Sequence, residues 1–133
     1  MRSVALMALA LLLGACPTPA GPGPGVSCGS APGGACDEST PRLLQCANGR
    51  YEIVSDCHGV GGCSQEGDTV KCDTSGNTVG DRCAPQSEGK VRCHPDAGVS
   101  ILRCTQGLLS VEFVCPSGTS CALDPDGGTL TCS

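Results

Sequence analysis

The chain has 133 residues, 13 of them cysteine, and a formal net charge of −5. That length fits one ordinary domain or two very small ones, neither able to bury a large core, and the acidic balance argues against electrostatic binding of nucleic acid or anionic lipid. Beyond residue 15, Leu, Ile, Val and Phe fill only 19 of 118 positions, too little apolar surface to offset the entropy of folding unless cross-links constrain the chain. The 13 cysteines supply that constraint and point to a disulfide scaffold outside the reducing cytosol.

In chain order, Met1-Arg2-Ser3 carries one positive charge and is followed by Val4 to Ala15, a run without a polar side chain. The run has the length of a signal-peptide core and is too short to cross about 30 Å of hydrocarbon as a helix, so residues 1–15 read as a signal peptide. An ordinary secretory cleavage site wants a small residue three positions before the cut, yet Leu13 stands three before Cys16. Leu13-Gly14-Ala15-Cys16 resembles the lipobox of bacterial lipoproteins. The resemblance implies diacylglycerol on the Cys16 sulfur, cleavage before it, and acylation of the new amino terminus. A thiolate is the strong nucleophile such chemistry needs, and at about 0.8 kcal/mol per buried methylene, two or three acyl chains anchor stably where one does not.

Residues 16–26 are expected to be the lipidated cysteine and its tether, because Pro17 to Gly25 has neither charge nor hydrophobic pattern. Pro17, in place of an aspartate after the anchoring cysteine, leans towards the outer membrane under the enterobacterial sorting rule that the lipobox resemblance brings with it. The expected setting is a lipid-anchored protein of the bacterial cell envelope, periplasmic or surface-exposed.

The other twelve cysteines divide into two sets of six. Cys28, Cys36, Cys46, Cys57, Cys63 and Cys72 have gaps of 7, 9, 10, 5 and 8 residues; Cys83, Cys93, Cys104, Cys115, Cys121 and Cys132 have gaps of 9, 10, 10, 5 and 10. Cys46, Cys57 and Cys63 fall on Cys104, Cys115 and Cys121 at one offset of 58 residues, which marks an internal duplication with its length changes at the ends. RLLQCANGRYEIVSDC aligns with SILRCTQGLLSVEFVC, and the glycine turns Asn48-Gly49 and Gln106-Gly107 predict a hairpin in each copy.

Alternation around those turns places Leu44, Cys46, Tyr51, Ile53 and Cys57 on one face, and Leu102, Cys104, Leu109, Val111, Phe113 and Cys115 on the matching one. Gln45, Glu52 and Asp56, and in the second copy Arg103, Ser110 and Glu112, take the other face. Val54 and Val114 break the pattern and are expected to meet a neighbouring element. DTVKC and GTLTC are expected to add a third strand to each hairpin. The predicted fold is thus small, disulfide-rich and all-β: two tandem six-cysteine modules, 27–73 and 74–133, each a three-stranded antiparallel meander. Six cysteines permit fifteen pairings; the duplication predicts bridges confined to each copy, with the same connectivity twice.

The doubled pattern of glycine-turn hairpin, C-x5-C and a closing strand ending in cysteine resembles cysteine-rich repeat lipoproteins of predatory and social bacteria, a group with no established activity to transfer. Peritrophin-type chitin-binding modules also use six cysteines, but with the short gap between the second and third, so that identity is not carried over.

Little in the chain points to catalysis. His58 aligns with Pro116 and His94 with Asp37, and both histidines read as surface residues. No Ser-His-Asp or Cys-His arrangement is repeated, no C-x-x-C redox pair occurs, and the tightest cysteine gap of five residues does not suit a zinc site. Asp124-Pro125-Asp126-Gly127 reads as a hairpin turn rather than a calcium loop. Tyr51 and Phe113, the only aromatics, fall on the predicted inward face. The expectation is a non-enzymatic binding, adhesion or structural protein without metal or cofactor, whose partners are the bilayer through Cys16 and an unknown protein or glycan. The alternatives are a carbohydrate- or peptidoglycan-binding module and a protease or lysozyme inhibitor presenting stapled loops.

Overall fold

The computed structural model describes residues 21–29, 33–96, 98–123 and 129–133. Residues 1–15, Cys16, residues 17–20 of the expected tether and the turn Asp124–Gly127 lie outside the described residues.

In the first repeat β1 (Gly34–Cys36), β2 (Arg42–Ala47) and β3 (Arg50–Asp56) form an antiparallel sheet in that order, and β4 (Cys63–Glu66) with β5 (Thr69–Cys72) forms a separate hairpin. After a 3₁₀ turn at Pro85–Ser87 the pattern recurs. β6 (Val91–Cys93), β7 (Ser100–Thr105) and β8 (Leu108–Val114) make the second sheet, and β9 (Cys121–Leu123) with β10 (Leu130–Cys132) the second small hairpin. The protein is small, disulfide-rich and all-β.

Each repeat contains a three-stranded antiparallel meander, but its third strand comes from before the central hairpin. DTVKC and GTLTC are strands that pair elsewhere, with Cys63–Glu66 and Cys121–Leu123. The reason is edge occupancy. The free edge of β3 is already held by the segment before Cys28, through Gly25 N–H to Tyr51 O (2.8 Å) and Tyr51 N–H to Val26 O (2.9 Å), and Gly80 and Asp81 do the same to Leu109 on β8. A later strand therefore does not add to β3 or β8 and folds back on its nearest neighbour. It follows that Gly21–Val26, read in the sequence as tether, lies along the first sheet; its Pro22 carbonyl accepts from Glu38 N–H as well.

The central hairpins have the expected register, with Cys46 opposite Tyr51 and Cys104 opposite Leu109. Both turn residues have positive φ in each copy, 52° and 76° at Asn48-Gly49, 54° and 75° at Gln106-Gly107, the geometry of a type I′ turn.

Further along, both copies contain a bulge. Leu44 faces Ile53 but Leu43 faces Ser55, leaving Val54 extra; Leu102 faces Val111 but Ile101 faces Phe113, leaving Glu112 extra. One added residue breaks the alternation that follows it, and beyond it the two copies differ in what covers them. Ser55 and Asp56, the latter expected on the outer polar face, are buried where the Arg82 backbone bonds them, whereas Phe113, expected inside, is 52% exposed and Val114 is 64% exposed.

Little apolar surface is enclosed. Leu44 and Leu102 are fully buried, with Ala35 and Cys57 in the first repeat and Cys83, Cys104 and Leu109 in the second. Six disulfides supplement this small core: Cys28–Cys46, Cys36–Cys63 and Cys57–Cys72, then Cys83–Cys104, Cys93–Cys121 and Cys115–Cys132. The order is first to third, second to fifth and fourth to sixth in both copies, and no bridge joins one copy to the other. Cys36–Cys63 and Cys57–Cys72 tie the β4–β5 hairpin to the sheet at two points, which its own short ladder does not achieve.

Candidate functional site

The two repeats meet through the stretch from Asp73 to Arg82. It begins at a tight loop: the Asp73 carboxylate accepts from the backbone N–H of Gly61 (2.9 Å) and of Ser75 (3.0 Å). Those two donors hold its carboxyl down at about 2, because they bind the charged form. At Gly76 a side chain has no room, since a Cβ there would lie 2.2 Å from the His58 carbonyl oxygen. Asn77, 1% exposed, then bridges the joint. Its Nδ2 donates to Asp56 O (2.6 Å) and its Oδ1 accepts from His58 N–H (2.8 Å).

Asp81 accepts from Thr78 N–H (2.7 Å) and pairs with His58 Nδ1 (2.8 Å). Arg82 closes the joint with its backbone: its N–H donates to Asp56 Oδ2 (2.7 Å) and its carbonyl accepts from Asp56 N–H and the Ser55 hydroxyl. The other Asp56 oxygen takes Arg42 Nε at 3.0 Å. Buried polar groups of this kind are tolerable because each is partnered.

Beside the joint lies a cleft of about 560 Å³, walled by Leu43, Val70 and Cys72 from the first repeat and by Gln86, Ser87 and Leu109 from the second. Its size falls in the range of small-ligand sites. Lys90 and Arg92 also line it, and no carboxylate does. Neither side chain has a hydrogen-bond partner among the described residues. Burial pushes the Arg92 guanidinium below its ordinary value, while the charges of Asp73 and Asp81 act in the opposite sense. The arrangement can receive an anionic group, with Ser and Gln side chains alongside to donate hydrogen bonds.

Of the residues singled out in the sequence, the twelve cysteines become the bridges, His58 enters the joint, and His94 remains apart, its Nδ1 accepting from Asp96 N–H (3.1 Å). Tyr51 is half-buried. Val54 lines a small open cleft together with Arg82 and Pro85 of the second repeat, whereas Val114 stays exposed. Lys90 and Arg92 were not anticipated. Their spacing of two, which puts both on one face of an extended chain, was the available signal. Among the described residues no group of three or more His, Cys, Asp or Glu is placed to hold a metal ion. No family model, curated protein or solved structure matches the chain.

Proposed function

We propose that the chain is a lipid-anchored lipoprotein of the bacterial cell envelope, held in the outer membrane by acylated Cys16, whose two stapled repeats act by binding rather than by catalysis. The observation that carries this reading is the closure of the disulfide set. All twelve cysteines from Cys28 to Cys132 pair among themselves, so none of them is left to take Cys16, which stands at the end of a lipobox-like motif. Disulfides of this density belong to an oxidising compartment. Metabolic labelling with a tagged fatty acid tests the anchor: the chain takes up label, and Cys16→Ser abolishes uptake and releases the protein from membranes. A labelled Cys16→Ser chain contradicts it.

The cleft favours a second, compatible reading as a glycan- or peptidoglycan-binding module. Lys90 and Arg92 suit a carboxylate-bearing ligand, and electrostatic capture of that kind weakens with salt. Retention on purified cell-wall material is expected to fall in Lys90→Gln/Arg92→Gln. Equal retention of this variant and the parent removes the cleft from the function.

A further inference from the structure

We propose that the second repeat docks the N-terminal segment of another copy of this chain, head to tail, with the geometry that the molecule already uses to join its own two repeats. The argument starts from equivalence. Residues 23–28 match residues 78–83 in sequence position relative to their cysteines and in hydrogen bonding: Val26 N–H to Gly23 O repeats as Asp81 N–H to Thr78 O, Cys28 N–H to Gly49 O as Cys83 N–H to Gly107 O. The end of β3 likewise matches the end of β8. Within the chain, segment 77–82 sits on the end of β3. The equivalent seat on β8 has no occupant among the described residues.

That seat has changed its chemistry. Ser55 and Asp56, buried under the joint, correspond to Phe113 and Val114, which are 52% and 64% exposed. His58 corresponds to exposed Pro116. Three polar positions of the seat have become apolar together. A patch of this kind on a small acidic protein marks an interaction site.

What selects another copy as the occupant is that the opposite side of the joint has changed in step. Asn77, Asp81 and Arg82 correspond to Pro22, Val26 and Ser27. The pair of Asp56 with Arg82 becomes Val114 with Ser27; His58 with Asp81 becomes Pro116 with Val26; Asn77, which bonds both Asp56 and His58, becomes Pro22. No side chain is left with an unmatched charge. The Ser27 backbone, equivalent to the Arg82 N–H and C=O that bond Asp56, has no hydrogen-bond partner from its own N–H or C=O among the described residues, which leaves it available to the edge of β8. Because the two surfaces differ, the contact is heterologous and propagates to a ring or filament rather than closing as a symmetric dimer.

The test uses sedimentation velocity of the full chain in detergent, with a photoreactive phenylalanine analogue at position 113 in mixed heavy- and light-isotope preparations. The parent is expected to assemble beyond a dimer as concentration rises, and Phe113 to cross-link heavy to light chains at residues 21–29. Val114→Asp should weaken assembly about tenfold or more, by burying a carboxylate without a countercharge. Val26→Asp should weaken it likewise, and Val26→Asp/Pro116→His should restore it by recreating the side-chain pair of His58 with Asp81, a rescue that a merely damaged fold would not show. A parent that stays monomeric, cross-links to other proteins alone, or a double variant no better than Val26→Asp overturns the proposal.

Discussion

At Asp73 a single carboxylate ties a loop to the start of the joint, and its titration gives a direct readout of that tie. Its carboxyl is held at about 2 by the N–H groups of Gly61 and Ser75, from an ordinary 3.8. The folded state therefore binds fewer protons here than the unfolded state. The stabilisation is fully present above about pH 4, the unfolded range, and is lost as pH falls through the folded value. Asp73→Asn should lower the thermal midpoint at neutral pH and flatten its decline between about pH 4 and 2, measured by circular dichroism. A variant with the parent's acid limb would show that the tie contributes nothing. Asp37 illustrates a different balance. Burial works to raise its carboxyl, but the hydrogen bonds from Ser39 and Thr40 and the Arg42 charge outweigh it, and the net shift is downward.

The central hairpins show which features an element carries in its sequence and which it does not. Gln106 adopts the left-handed conformation that Asn48 adopts in the first copy, and an ordinary side chain there pays roughly 1–2 kcal/mol that asparagine largely avoids. The second copy compensates with Glu88, whose carboxylate accepts from Gln106 N–H (2.8 Å) and Gly107 N–H (3.2 Å). Gln106→Asn should accordingly raise stability by about 0.5–1 kcal/mol in thermal or denaturant unfolding, and no gain would mean the turn is unstrained. Turn and register were legible because glycine at the second turn position and alternating apolar residues both demand them. The bulge was not: Val54 and Glu112 share no side-chain character, and nothing announced that the segment through Arg82 buries Asp56 while Phe113 is left exposed. Disulfide pairing was equally silent, since cysteine spacing is compatible with many closures and only the folded path brings first to third, second to fifth and fourth to sixth. Edge occupancy by the segment before Cys28 was also hidden, because its Pro/Gly composition reads as tether whether or not its backbone is bonded.

Over the whole molecule, two copies of one stapled unit have diverged at their junctions while keeping their cross-links. The first copy presents a polar, partnered seat and the second an apolar one with no occupant among the described residues, and the cleft lined by Lys90 and Arg92 lies where the two meet. Its position between repeats explains why neither copy alone betrayed it in the sequence. Cross-links confined to each copy leave the joint to hydrogen bonds and apolar contact, so the joint is the natural place for the molecule to yield. Twelve cysteines close within their own repeats, and the proposed lipid attachment requires that Cys16 stay outside every bridge. A non-reducing peptide map of the purified chain by mass spectrometry tests this most directly. It should return six bridges in the two matching sets and a Cys16 peptide carrying acyl mass. A bridge between residues 28–72 and 83–132, or Cys16 in a disulfide, would contradict it.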